Sequence, residues 1–209
     1  MSLKDADGVI VAEAHGYEGM LEVIAPHLWQ VRNAYLYTID IILGGDKPVD
    51  RYNDRIGIRT VKIEGYHILI NGEPVYLKGF GKHEDSDILG KGFSWAVAKR
   101  DYECMKWIGA NCFRTSHYPY AEEWYRMADE EGFLIIDEVP GVGMMRSFAN
   151  FAAAGAGNGY SGFFNSPTIP QLQANHQAAL DEMITRDKNH PSVIAWSVFN
   201  EAETTSEYA

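Results

Sequence analysis

Four short polar clusters, each placed directly after an apolar run, hold the side chains best suited to chemistry. They are Gly81-Lys82-His83-Glu84-Asp85, Arg114-Thr115-Ser116-His117, Asp137-Glu138 and Asn200-Glu201. Glu201 follows Val193-Ile194-Ala195-Trp196-Ser197-Val198-Phe199, which puts its carboxyl group at the mouth of an apolar wall. Partial desolvation there raises the pKa of a carboxylic acid, as a general acid working near neutral pH requires. Asn200 beside it can both donate and accept hydrogen bonds to a hydroxyl. An Asn-Glu pair on its own is also an ordinary way to start a loop. His83 and His117 offer imidazoles, although a lone histidine is more often a structural hydrogen-bonder. Arg114 in a buried strand needs a carboxylate partner, which either Glu138 or Asp137 could supply.

Other chemistries find less support. His83, Glu84, Asp85 and His117 are metal-ligand types, but the chain has no His-Glu-x-x-His and no Cys-x-x-Cys, so no metal site is expected. Gly141-Val142-Gly143 leads into a loop rather than a helix, which fails the dinucleotide fingerprint. No Gly-x-Ser-x-Gly elbow is present. Eighteen basic against 29 acidic residues give a net charge of −11, with no basic run to attract nucleic acid or anionic lipid. No apolar run reaches the roughly 18 residues that cross a bilayer, and the N-terminus has no secretory core. Cys104 and Cys112 cannot make a disulfide framework and are expected to be two buried thiols. The 46% hydrophobic content suits a globular core. Together these features describe a soluble protein of a reducing compartment, the cytoplasm, acting on something small or on another protein.

The elements that must position the four clusters fall into two kinds. Up to about residue 60 the chain reads as strands, at Val9–Val11, Leu21–Ile24 and Tyr35–Leu43, separated by Gly/Asp clusters at 44–46 and 52–54. These are too few for a complete β-sandwich. Beyond, Asn71-Gly72-Glu73-Pro74 is a hairpin turn between Ile68–Ile70 and Val75–Leu77. Strands near 75–81, 111–116, 133–139 and 193–200 then alternate with helices at Ser94–Gly109, Ala121–Glu131 and about 170–189. Ser94 is a candidate N-cap, with Trp95, Ala98, Tyr102, Met105 and Ile108 on the buried stripe of the first helix. The last helix places Leu172, His176, Ala179, Leu180, Met183 and Ile184 on its stripe. Strand–helix units of this kind form a parallel sheet, whose ligands bind beyond the carboxyl ends of the strands. All four polar clusters sit at such ends. A long segment between Pro140 and Pro167 interrupts the rhythm, with Phe148, Phe151, Tyr160, Phe163 and Phe164 set among glycines and alanines, and reads either as a solvent-exposed insertion or as a substrate-facing loop.

Several stretches together resemble one family. Leu28-Trp29 with Ala34–Thr38 resembles the end of the immunoglobulin-like sandwich of glycoside hydrolase family 2, and Gly57–Val61 resembles its junction with the catalytic barrel. Asn71–Val75, Arg114–Pro119 and Asp187–Val193 are similar to successive barrel motifs, and Trp196-Ser197 through Asn200-Glu201 to the acid/base signature. Gly79–Asp85, Gly90–Phe93, Trp107–Asn111 and Ile136–Gly143 are most similar to the β-glucuronidase branch. The resemblance implies a partial immunoglobulin-like β-sandwich at 1–60, followed at 61–209 by an α/β region comprising the first four βα units of a TIM barrel. It implies retaining hydrolysis of terminal β-D-glucuronides with Glu201 as acid/base, Asn200 holding the sugar 2-hydroxyl, and His83 and His117 lining the sugar subsite. No cofactor is implied. Where β-galactosidases of the family carry a magnesium-binding Glu-x-His, this chain has Pro140–Gly143.

Two departures stand out. The usual Asn-Glu-Pro reads Asn200-Glu201-Ala202. The chain also stops at Ala209, before the family's nucleophilic glutamate and its glucuronate-reading Asn-x-Lys, and it lacks the N-terminal sugar-binding domain. It is therefore expected to be an internal part of a larger, homo-oligomeric enzyme with a glycoside as its partner. A β-galactosidase or β-mannosidase of the same family, or a non-catalytic carbohydrate-binding half-barrel, are the alternatives.

Overall fold

The computed structural model describes residues 1–44, 47–145, 147–156 and 170–202. Strands β1 (Ser2–Lys4), β2 (Ile10–Glu13), β3 (Tyr37–Gly44) and β4 (Pro48–Ile56) form an antiparallel sheet in the order β2-β1-β3-β4. Its centre is the buried Asp40 carboxylate on β3, which accepts from Lys4 Nζ (2.6 Å) and from Arg51 Nε and a terminal nitrogen (2.9 and 2.7 Å). The Arg51 hydrogen bonds, with those of Lys4, hold this carboxyl well below the usual range. Two expectations fail here. Leu21–Ile24 is not a strand: among the described residues no neighbour pairs with it, Ile24 is almost fully exposed, and the chain turns at Ala25 (φ 51°) before Pro26. Conversely, the polar stretch read as a separator is β4, which pairs with β3 along its whole length and is tied to it through Arg51.

Three antiparallel strands follow, β5 (Val61–Glu64), β6 (His67–Ile70) and β7 (Glu73–Val75). Asn71 (φ 54°) and Gly72 (φ 84°) make the tight turn expected between β6 and β7. The expected strand near 75–81 divides: β7 ends in this hairpin, and β8 (Gly79–Lys82) opens a parallel sheet. Helix α1 (Trp95–Trp107), β9 (Cys112–Thr115), α2 (Glu122–Glu131), β10 (Leu134–Glu138), α3 (Phe148–Gly155), α4 (Pro170–Asp187) and β11 (Val193–Ser197) complete the order. The sheet runs β11-β10-β9-β8, all pairs parallel, as half of a barrel requires.

The helix-side core packs Ala98, Tyr102 and Met105 of α1 with Trp124, Tyr125 and Ala128 of α2 over Phe113, Ile135 and Val193. Trp95 and Ile108 are more than half exposed, so the stripe of α1 is narrower than its spacing suggests. Ser94 precedes α1 without a side-chain capping bond. On α4, His176 and Met183 are buried as expected, Leu172 is exposed, and Asp187, which the apolar stripe does not include, is fully buried. Cys112 is buried, with its thiol pushed up to about 11, whereas Cys104 on the outside of α1 is exposed. Helix α3 occupies the start of the expected long loop, and Phe148 on it is exposed; Tyr160, Phe163 and Phe164 lie outside the described residues.

The two parts meet at Trp29, which is fully buried among Leu36, Ile70, Cys112 and Leu134. Its indole donates to Asp129 O (2.7 Å), and its carbonyl accepts from Asn71 Nδ2 (2.9 Å). Asp129 also takes the Ser192 amide (3.0 Å) and His190 Nδ1 (2.5 Å). Burial pulls the His190 pKa down, but the Asp129 hydrogen bond and nearby negative charge outweigh it, and the net shift is upward. Gly132 ends α2 in the left-handed region (φ 71°), where its carbonyl accepts from Arg32 N (2.8 Å). A Cβ there would sit 2.5 Å from that same nitrogen.

Gly132→Ala is therefore expected to cost roughly 2–3 kcal/mol in denaturant unfolding, from the backbone penalty plus the clash. Gly109→Ala, with a similar φ of 76° but nothing within 4 Å, should cost only about 1 kcal/mol. Equal losses would contradict the close docking of Arg32. Among the described residues β8 and β11 are unpaired on their outer edges, and Phe80, Trp107, Ile108 and Val198 are exposed nearby. Expressed alone, the 209 residues should scatter light as assemblies heavier than 23.4 kDa, and a monodisperse monomer would contradict this.

Candidate active site

At the carboxyl ends of the parallel strands the inward side chains converge on Glu138. This carboxylate is fully buried, so it must be paired to stay charged. One oxygen lies 2.6 Å from His117 Nδ1. The other accepts from Ser197 Oγ at 2.6 Å and pairs with Arg114 Nε at 3.1 Å. Of the two acids expected to partner Arg114, Glu138 is the one that does. Arg114 continues to Asn200, whose Oδ1 accepts from a terminal guanidinium nitrogen at 3.3 Å. The His83 ring stands 5.5 Å from that of His117, edge to face.

The backbone carrying Asn200 is pinned as well. Its N–H donates to Gly141 O (2.9 Å), and its carbonyl accepts from Gly143 N (3.0 Å). A Cβ on Gly141 would lie 3.0 Å from the His176 ring, itself stacked on Phe199 at 4.6 Å. Gly141-Val142-Gly143 thus serves to seat the segment that follows β11. Glu201 follows with φ 53° and an exposed side chain, not the partly desolvated one expected at the mouth of an apolar wall. Three of the expected site residues, Asn200, His117 and His83, gather on this rim with Arg114, and Glu201 adjoins it. Glu84 does not join them; it is turned into the fold beside Ala121, with its pKa raised by burial.

Sequence reasoning did not single out Ser197. The register between β10 and β11 shifts after Ile135↔Val193, so that Glu138 pairs with Ser197. Irregularities of this kind re-aim side chains and leave no mark in a pattern of apolar residues. Among the described residues no three His, Cys, Asp or Glu side chains cluster as metal ligands, and no helix is long and apolar enough to cross a membrane.

Comparison with known proteins gives a consistent match. The family model for the TIM-barrel domain of glycosyl hydrolases family 2 matches residues 61–209, and a second model of glycosyl hydrolases family 2 matches residues 2–59. A β-glucuronidase of Paenibacillus borealis is 46% identical over 217 residues, covering all of this chain and 34% of the relative. A solved β-glucuronidase of Ruminococcus gnavus is 66% identical with a TM-score of 0.91, covering the whole chain and 35% of the other. A structure of that enzyme in complex with uronic isofagomine gives 65% identity and the same TM-score over 100% and 35% of the two chains. The chain therefore spans about a third of the length of the relatives it matches.

Behind the sheet, Asp137 points the opposite way from Glu138. Its Oδ1 accepts from Tyr125 Oη (2.6 Å) and Thr115 Oγ1 (3.1 Å), and Thr115 Oγ1 in turn accepts the Glu138 amide (2.8 Å). Among the described residues its Oδ2 has no hydrogen-bond partner, while the buried Asp187 carboxylate, held by Arg186, is close enough to act on it. Burial pushes the Asp137 pKa up, and despite the Tyr125 hydrogen bond the nearby Asp187 charge helps bring it to about 7. A raised carboxyl pKa means that the folded chain keeps a proton the unfolded chain releases above about pH 4, so stability falls as pH rises from about 4 to 7. Asp137→Asn keeps the acceptor for Tyr125 and Thr115 and places a donor toward Asp187. The melting temperature of this variant relative to the parent is expected to rise by roughly 5 °C between pH 5 and pH 8. A difference that stays constant with pH would contradict the raised Asp137 pKa.

Proposed function

This chain belongs to glycosyl hydrolases family 2, and from that premise we propose that it is a segment of a β-glucuronidase. On this reading residues 1–60 are the last part of an immunoglobulin-like sandwich, and residues 61–209 are the first four βα units of the catalytic barrel. The observation that carries the reading is a likeness to the R. gnavus β-glucuronidase that runs the whole length of the chain at 66% identity.

The rim supports a retaining hydrolysis. Glu201 protonates the glycosidic oxygen while a second carboxylate, from a later strand roughly 5–5.5 Å away, attacks the anomeric carbon. Glu201 then deprotonates the water that releases the sugar. Arg114 can only donate, so its contact assigns Oδ1 of Asn200 as acceptor and leaves Nδ2 as a donor toward the sugar 2-hydroxyl. That bond strengthens as the ring flattens toward the oxocarbenium ion. His117 Nδ1 faces a carboxylate and carries the proton there, which leaves Nε2 to accept from a sugar hydroxyl. Glu138 makes a poor nucleophile, since His117, Ser197 and Arg114 occupy both of its oxygens.

The test uses the longer polypeptide that carries this chain. Its kcat/KM for 4-nitrophenyl β-D-glucuronide is expected to exceed that for the β-galactoside and β-mannoside by at least about a hundredfold. Glu201→Gln should lower kcat by roughly 10²–10⁴. Preference for another sugar would overturn the substrate, and an active Glu201→Gln enzyme would overturn the role of Glu201. The 209 residues alone should give no turnover. Turnover by them that Glu201→Gln abolishes would place the nucleophile inside this chain.

A further inference from the structure

Two buried side chains on the helix side of the sheet act on the main chain at its rim. Tyr120 is 1% exposed, and its ring packs between Trp124 (6.1 Å) and Tyr118 (5.5 Å). Its hydroxyl has one proton, which it shares between two main-chain oxygens, Lys82 O and Ser116 O, the latter at 3.0 Å. Lys82 and Ser116 are the residues immediately before His83 and His117. Lys82 O also accepts the Ser116 amide at 3.2 Å, so the hydroxyl closes a junction between the ends of β8 and β9.

Lys82 secures the next peptide. Its ammonium turns back to donate to His83 O at 2.7 Å and pairs with Asp101 at 2.8 Å, lying 4.0 Å from the centre of the Trp124 ring. The carbonyl before His83 is thus held by Tyr120, and the carbonyl of His83 itself by Lys82. Neither side chain belongs to the group of inward residues around Glu138.

We propose that Tyr120 is a positioning residue: its hydroxyl joins the carboxyl ends of β8 and β9 and so sets the spacing and attitude of the His83 and His117 rings. The catalytic consequence rests on the reading of this rim as the sugar subsite, whereas the placement of the two rings does not. Tyr102 provides the comparison. It is equally buried in the same core and donates its hydroxyl to Trp124 O at 2.6 Å, a carbonyl of α2 and not of a residue adjoining either histidine. If a buried tyrosine hydroxyl here only satisfies a carbonyl, Tyr120→Phe and Tyr102→Phe are equivalent.

In the longer polypeptide both variants are expected to lose similar thermal stability. Tyr120→Phe should lower kcat/KM for the aryl glucuronide about tenfold, because small misplacements of substrate-contacting groups are costly. Tyr102→Phe should leave it within about twofold. Carbethoxylation of His83 and His117 by diethyl pyrocarbonate, followed by peptide mass spectrometry, reads ring placement without any substrate. Both rates should change in Tyr120→Phe and neither in Tyr102→Phe. Identical behaviour of the two variants in both measurements overturns the proposal. If the parent polypeptide cleaves no glucuronide, the proposed function fails, and the carbethoxylation rates alone still decide whether Tyr120 positions the rings.

Discussion

A carboxylate with no access to water is the constraint around which this rim is built. Glu138 is worth its burial only because three groups from two neighbouring strands and the β9 loop meet it: Arg114, His117 and Ser197. Each of them is oriented by that contact. Arg114, held by Glu138, reaches Asn200 and determines which end of that amide faces outward. One charge therefore ties the ends of β9, β10 and β11 to the residue next to the proposed acid/base. Taking away any one partner leaves a buried charge short of compensation, which is why such a cluster behaves as a unit.

The adjacent residue meets the opposite fate through strand alternation alone. Asp137 turns to the helix side, where its partners are hydroxyls and a second carboxylate instead of cations. Two consecutive acids on one strand thus differ in their surroundings: Glu138 is matched by positive charge, and Asp137 is eased by a proton. They remain linked, since Thr115 Oγ1 bonds both the Glu138 amide and the Asp137 carboxylate. Tyr125 and Tyr120 extend the same network to the ends of β9 and β8, the Tyr120 amide donating to Tyr125 Oη at 3.2 Å. The inner face carries the groups that meet Glu138, and the outer face holds the backbone from which they project.

Much of this was readable from residue types. The four parallel strands follow from apolar runs separated by helical periods, and the β6–β7 turn from Asn71-Gly72. The need of Arg114 for an acid followed from its place in a buried strand, with two candidates that only the direction of β10 could separate. What escaped the sequence shares a physical cause, namely long-range pairing. Strand β4 is polar and exposed along most of its length and exists because β3 lies beside it. Leu21–Ile24 has suitable residues for a strand but no partner among the described residues. Ser197 reaches Glu138 through a register shift that no local pattern encodes, and Gly141 is needed because His176, 35 positions later in the chain, packs over it.

The dependence of the rim on Glu138 is tested most directly by the crystal structure of a Glu138→Ala variant of the longer polypeptide. With the carboxylate gone, Arg114 is predicted to move out of hydrogen-bonding distance of Asn200 Oδ1 and the His117 ring to rotate, while β9, β10 and β11 keep their pairing. Arg114 still bonded to Asn200, with His117 unmoved, would contradict the account and show that the rim is held by its backbone alone.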